Sequence, residues 1–455
     1  MLLLALCWAP FVLALQPTNP FHVEQQQLDA HYWIDRHPAS ETPLLTPGQI
    51  TAFNADLLEK DPSIHDLHTL PDTYAPDEVR ALIGRVSSPP KRTLYDEAGQ
   101  ELEPGRLAEL ARMLDLDTIA ERTTPRYGLV VRRADLRAFP TTQRVFSSLD
   151  DTDIDRFQES GLYPGTPVAA LHRSKDGRWL FVVSPNYAAW IESENIALGS
   201  REEVLGFTQQ QPRLIVTGAQ ARTAFTPEQP AASLLTLDMG TQLPVLQDWS
   251  PHTPVKGQLP YTAHVVQLPL RNEDGSLHFS PALVPRSADV AAAPLPATPA
   301  NLLRQAFKFL GERYGWGHSY EARDCSGFVL DVYRSLGIDL PRNTIDQSRS
   351  PALESVPYDA SAPLQERLDA LARLQVGDLV YIPGHVMMVI GHDKGQTWVI
   401  HDTAGASYRD TDGKLHRAHI NAVAVTPLEP LLMGSGEPFI DRITRIQRIP
   451  SEGHP

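Results

Sequence analysis

Stretches with a helical apolar period alternate along the chain with stretches of period two, and the change-over points divide it into segments. An opening apolar run, Leu2 to Leu15, precedes everything else. Residues 15–140 then read as mostly helical and irregular. Thr46-Pro47-Gly48-Gln49 ahead of Ile50, Ala52, Phe53, Leu57 and Leu58 predicts a capped amphipathic helix, and Leu107, Leu110, Met113 and Leu114 form a second stripe. From 141 to 205 the signals turn to β. Asp176-Gly177 is a hairpin dipeptide between Val168–His172 and Trp179–Val183, and Tyr187 to Ile191 supplies a further strand. Short strands in such density predict a small SH3-like barrel. Residues 206–290 repeat the theme with Arg213–Thr217, Leu243–Leu246, Thr262–Leu268, the turn Asp274-Gly275 and Leu277–Phe279, predicting a second barrel. Residues 291–299, Ala-Ala-Ala-Pro-Leu-Pro-Ala-Thr-Pro, read as a stiff linker. Residues 300–455 form an α+β unit. Helices are predicted over Asn301–Arg313 and Cys325–Leu336, the second closed by Gly337, and strands over Asp378–Ile382, His385–Gly391 and Thr397–His401.

Composition narrows the classes. The chain of 455 residues is 42% hydrophobic and 21% charged, which excludes wholesale disorder. Forty Lys and Arg against 55 Asp and Glu leave a net charge of −15, which argues against nucleic acid as a partner because phosphate binding needs a clustered cationic face. Forty prolines against 28 glycines agree with many loops and short elements.

The opening run is too short to span a bilayer, which takes roughly 20 residues, but suits a secretory signal. Val12 and Ala14 stand at −3 and −1 of a cut before Leu15, so residues 1–14 are expected to be a signal peptide and the protein to be exported, periplasmic or extracellular. No other stretch approaches a membrane span. Of the two cysteines, Cys7 leaves with the signal and Cys325 remains without an internal disulfide partner.

Cys325 lies in Arg323-Asp324-Cys325-Ser326-Gly327-Phe328, at the first turn of an amphipathic helix capped by Asp324. Unpaired backbone N–H groups there favour a thiolate and can hold an oxyanion. A base comes from two histidines: His385 opens a strand after Pro383-Gly384 and His401 closes the next. Pairing Val389 with Val399 sets His401 opposite Met387, diagonal to His385. A two-residue slip sets the histidines directly opposite. Either register puts both on one face within about 8 Å. Cys325 is therefore the expected nucleophile, His385 the base and later acid, and His401 the group that fixes the tautomer of His385. Two His and one Cys could also ligate zinc, but nothing has compact ligand spacing, and neither metal nor cofactor is expected. His392 and His419 have no special setting, and His318, in a Gly-rich loop, reads as structural.

Tyr314-Gly315-Trp316-Gly317, Asp324-Cys325-Ser326-Gly327-Phe328, Gly377-Asp378-Leu379 and Gly384-His385-Val386 together resemble the catalytic domain of the NlpC/P60 cell-wall cysteine peptidases. Upstream, Tyr32-Trp33-Ile34, Ala52-Phe53-Asn54 and Arg137-Ala138-Phe139-Pro140-Thr141 resemble a subgroup with an N-terminal stabilising domain (here 15–140) and two bacterial SH3-like domains (141–205 and 206–290). The resemblance implies a papain-like α+β fold for 300–455. It also implies hydrolysis of the bond between γ-D-glutamate and a diamino acid in peptidoglycan stem peptides, with Cys325, His385 and His401 as the triad. It implies further that Asp324 and Ser326 recognise the free amine of an N-terminal L-Ala, that Tyr314 and Trp316 line the cleft beside the thiolate, and that Tyr187 reaches it from the first SH3-like domain. His318 replaces the second Gly of the family's Tyr-x-Trp-Gly-Gly, and Ala188 replaces a Gly after Tyr187. A different class of function is a non-catalytic wall-binding protein acting through its SH3-like domains.

Overall fold

The computed structural model describes residues 19–359 and 361–448; the opening apolar run, its expected cut and Cys7 lie outside the described residues. Four helices occupy the N-terminal part: α1 (Ala30–Ile34), α2 (Pro47–Lys60), α3 (Pro76–Val86) and α4 (Pro104–Met113). α2 begins with the predicted cap, Thr46 accepting from the Gln49 amide while Gln49 Oε1 accepts from Thr46 N–H at 2.8 Å. The expectation of a mostly helical N-terminal domain needs correction. Long irregular stretches separate the helices, and they share no core of their own. Tyr32, Trp33, Ile34, Phe53 and Leu57 pack into the C-terminal unit with Phe328 and Val332, whereas Val79, Ile83, Leu110 and Leu114 pack against Trp179, Phe181 and Trp190 of the following β unit. Each amphipathic helix buries its stripe on a neighbour because it has too little apolar partner surface within the segment.

The first β unit is one seven-stranded sheet. It is built from β1 (Arg126–Val130), β2 (Ala134–Arg137), β3 (Gln158–Leu162), β4 (Pro167–Arg173), β5 (Trp179–Ser184), β6 (Tyr187–Glu192) and β7 (Ile196–Leu198), in the order β3-β2-β6-β5-β4-β1-β7. The predicted Asp176-Gly177 hairpin joins β4 to β5, with Gly177 at φ 71°. β1 and β2 lie ahead of residue 141, so the sheet draws in strands that the sequence reading gave to the preceding segment. Arg137 is buried at the end of β2, in an ion pair with Asp155 at 2.5 Å.

α5 (Arg201–Gln209) leads to a second β unit, in which three small sheets surround one core. Its strands are β8 (Arg213–Val216), β9 (Gln220–Arg222), β10 (Thr236–Asp238), β11 (Gln242–Pro244), β12 (Ala263–Arg271), β13 (Leu277–Pro285) and β14 (Val290–Ala291). The Pro/Ala segment that follows is no free tether. Leu44 N–H donates to Ala297 O at 2.7 Å, Leu295 N–H donates to Ser335 O at 3.0 Å, and Ala297 is buried.

The C-terminal unit carries α6 (Pro299–Phe307), α7 (Cys325–Arg334), α8 (Thr344–Arg349), β15 (Glu354–Pro357), α9 (Leu364–Leu371), β16 (Leu379–Ile382), β17 (His385–Asp393), β18 (Gln396–Thr403), β19 (Ala406–Arg409), β20 (Leu415–Ala418), β21 (Ala422–Pro427) and β22 (Arg445–Arg448). Six strands form one sheet in the order β15-β22-β16-β17-β18-β21. α7 packs on one face through Phe328, Val329 and Val332, which meet Val386, Met388 and Ile400. Val389 pairs with Val399, the first of the two registers considered, with an irregularity before Gly391. Among the described residues no helix is long and apolar enough to cross a membrane.

Candidate active site

Cys325 opens α7, and the cap expected at Asp324 is present: Asp324 is extended, and its Oδ1 accepts from Gly327 N–H at 2.8 Å. The thiol is 5% exposed. Its sulfur lies 3.6 Å from Thr344 Oγ1, and the backbone amide of Val386 is directed at it, so β17 starts beside this cysteine. His385, the residue before Val386, places Nε2 2.8 Å from Nδ1 of His401, and His401 Nε2 lies 3.1 Å from Thr426 Oγ1 on β21. Two tautomer sets satisfy these contacts, one with Thr426 donating and one with Thr426 accepting, and only the second leaves a base at His385. With His385 donating from Nε2 and His401 donating from Nε2 to Thr426, Nδ1 of His385 is left as an unprotonated acceptor. Thr426 was not legible in the sequence, because nothing local announces that β21 pairs with β18.

Burial governs the electrostatics. It pushes the Cys325 thiol up to about 12, and the nearby Asp324 carboxylate adds to the rise. Burial therefore opposes the thiolate that the helix terminus favours, since a terminus supplies at most about 2 kcal/mol and full burial costs more. Burial also holds His385 down, to about 4, and His401 well below the usual histidine range. Burial thus disfavours the charged form of both the thiol and the imidazole.

The other expected residues converge from two units. Tyr314 is buried close enough to Cys325 and Asp324 for their charges to raise its phenol well above the usual range, after burial itself. Trp316 donates from Nε1 to Gln158 O of the first β unit at 3.1 Å. Tyr187 donates from its hydroxyl to Glu159, again in that unit. Ser326 Oγ donates to Asp324 Oδ1 at 3.2 Å. Asp324 is far from free, however. Arg342 donates to its Oδ1 at 3.1 Å and to its Oδ2 at 2.8 Å, and Gly317 N–H donates to Oδ2 at 3.0 Å. Arg342, which sequence reasoning missed, also donates to Ser326 Oγ and to Nδ1 of His318. His318 is buried against Tyr163 and wedged beside Gly161, a structural setting as expected.

Asp402, next to His401, was missed as well. It is 0% exposed, neither oxygen has a well-placed partner, and burial raises it well above the usual carboxylate range. Among the described residues no three His, Cys, Asp or Glu are grouped so as to hold a metal ion.

Residues 311–425 match the NlpC/P60 family, and residues 144–192 match an SH3 domain of the SH3b1 type. A gamma-D-glutamyl-L-lysine dipeptidyl-peptidase of Bacillus cereus is 27% identical over 242 residues, covering 50% of this chain and 59% of the relative's own length. A solved NlpC/P60 endopeptidase from Photobacterium damselae subsp. piscicida superposes with a TM-score of 0.74 at 16% identity, across 95% of this chain and 98% of that one. That likeness shows a common fold along nearly the whole chain.

Proposed function

We propose, from the premise that residues 311–425 are an NlpC/P60 domain and residues 144–192 an SH3 domain, that this chain is an exported cysteine endopeptidase of peptidoglycan stem peptides. Its target is the bond between γ-D-glutamate and the following diamino acid. The observation that carries the reading is the His385–His401 contact of 2.8 Å beside the cysteine that starts α7. The name of the Bacillus cereus relative, a γ-D-glutamyl-L-lysine dipeptidyl-peptidase, supports the same bond class.

The chemistry follows from the two neutral groups. As Sγ of Cys325 attacks the γ-carbonyl carbon, its proton passes to Nδ1 of His385, and the imidazolium is stabilised by the His401 ring at Nε2. The carbonyl oxygen becomes an oxyanion facing the free N–H groups at the start of α7. Collapse returns the proton to the departing amine and leaves a thioester. Water, deprotonated by His385, then releases the glutamyl carboxylate and the thiol.

Asp324 is set aside as the sole receptor of a free L-Ala amine, because Arg342 and two backbone amides already occupy its carboxylate. Glu159, half-buried and paired with the Tyr187 hydroxyl, is the carboxylate better able to take an ammonium group at that end of the cleft. Preference for a free N-terminal L-Ala therefore rests on Glu159 and Tyr187, with Asp324 and Ser326 shaping the wall.

The test is mass spectrometry of L-Ala-γ-D-Glu-diaminopimelate, its lysine counterpart and glycan-linked stems, incubated with the native protein and with Cys325→Ala. Release of L-Ala-D-Glu by the native protein alone is expected, faster from the free peptide than from glycan-linked stems. If neither protein cuts any of these, the peptidase reading falls and wall binding through the SH3-like domains takes its place.

A further inference from the structure

The segment leading to Cys325 is strained. Gly317, His318, Tyr320 and Glu321 all have left-handed backbones, at φ 56°, 68°, 61° and 55°. The three that carry side chains sit in a conformation that L residues disfavour. Such a backbone persists only where its surroundings over-determine it. Arg342 and Asp324 of the same unit hold part of it, and the remaining groups that do so come from outside the peptidase unit.

Arg133, between β1 and β2, donates from Nη2 to His318 O at 3.0 Å and to Ala322 O at 2.6 Å, clasping both ends of the strained turn. Its Nη1 donates at 2.5 Å to Oδ1 of Asp238, the last residue of β10 in the second β unit. That same oxygen accepts from Arg323 Nη2 at 2.9 Å. Arg323, two residues before Cys325, is fully buried and also binds Asp331 on α7 at 2.8 Å and Glu312 at 2.8 Å. Asp331 in turn accepts from the hydroxyl of Tyr163 in the first β unit at 2.6 Å. Both β units thus grip the entry to α7 through one buried, charge-assisted network. A buried carboxylate shared by two guanidinium groups fixes geometry more strongly than a surface pair, because loss of one partner leaves a charge unmatched.

We infer that Asp238 and Arg133 are positioning residues of the peptidase site: the two β units hold the 317–323 segment, and through it the start of α7, in the geometry that aims Cys325. This rests on the reading of Cys325 as nucleophile. Neither residue touches the thiol or either histidine of the pair, and each acts through Arg323 or the backbone of the strained turn.

The test uses the full chain with Arg133→Lys, Asp238→Asn and, as a control, Arg132→Met. Arg132 binds Glu194 at the surface and the side chain of Asn195 beneath it, and touches neither the strained turn nor Asp238. Three quantities are read: kcat and KM on the tripeptide well below Tm, the rate of Cys325 alkylation by iodoacetamide, and Tm. A lysine at 133 keeps a charge near Asp238 but cannot clasp both carbonyls. It leaves the Asp238–Arg323 pair intact, so it remains informative if Asp238→Asn does not fold. The expected result is a loss of about tenfold or more in kcat with KM within about threefold, since small misplacements of a nucleophile act mainly on the chemical step. Alkylation should rise about fivefold or more as the thiol loosens. The control stays at native values. Folded variants whose kcat and alkylation rate both stay within about twofold of native overturn the inference. If the native protein cleaves no stem peptide, the functional reading fails separately, and alkylation alone still decides whether the β units position Cys325.

Discussion

In the proposed mechanism Thr426 and His401 form the far end of a relay whose near end is Nδ1 of His385, and each link has its own measurable weight. Removing the His401 ring frees His385 to rotate or to take the wrong tautomer, so His401→Ala should lower kcat about 10²-fold, within the range for lost acid–base assistance. Thr426→Val keeps the shape and loses only the acceptor for His401, and should cost a few-fold, about 3 to 10. Both are read by steady-state kinetics on the tripeptide. The acid limb of kcat/KM follows from His385, which must be neutral to accept the thiol proton: activity should fall as the pH drops through about 4 rather than near 6.5. The same burial sets a stability effect. His385 titrates near 6.5 in the unfolded chain and near 4 in the folded one, so between those values only the unfolded state binds the proton. Stability contributed by the neutral ring is complete above about 6.5 and is lost progressively down to about 4, roughly 3 kcal/mol from this residue. Denaturant melts at pH 7 and pH 4.5 check the sign, and a midpoint higher at 4.5 would refute it.

Elements whose partners lie close in sequence were legible; those whose partners lie far away were not. The Asp176-Gly177 and Asp274-Gly275 turns, the capped start of α2 and the helix at Cys325 all carry local signals that the fold uses directly. The β17–β18 register could be narrowed to two because period-two alternation ties Val389 and Val399 to the faces of the histidines. By contrast β1 and β2 were read with the preceding segment, since their partners β4, β7, β3 and β6 lie beyond residue 157 and no local pattern names them. Arg342 looked like an ordinary loop residue until folding brought it onto Asp324. α1 shows how strongly such distant partners count. Trp33 is nearly fully buried, with its ring 5.5 Å from that of Trp398 and against Gly391, where the strand carries no side chain. Trp33→Ala should therefore destabilise the C-terminal unit by about 3–5 kcal/mol, visible as a lower denaturant midpoint, even though the two elements stand at opposite ends of the chain.

At the scale of the molecule, the pieces that look modular in sequence interlock. Residues Tyr32, Phe53 and Leu57 complete the core under α7, Asn54 Nδ2 donates to Gly337 O at 2.8 Å, and the Pro/Ala segment lies docked rather than loose. A fragment beginning at 300 would expose that apolar surface to water. It should be insoluble or unfolded, whereas the chain from residue 19 onward folds; far-ultraviolet circular dichroism and size-exclusion chromatography of the two separate the outcomes. A soluble, two-state fragment 300–455 would show that the N-terminal packing is dispensable.

The pairing of Trp33 with Trp398 also has a consequence in time. A chain emerges from its N-terminus, so the residues that seal the floor of the peptidase unit are made first and wait for nearly the whole sequence to follow. The strand bearing His401 arrives among the last segments, and the core beneath Cys325 closes only then. If the proposed function holds, a chain cut short anywhere before β18 lacks both His401 and the finished core that seats Cys325, and is expected to be born without activity.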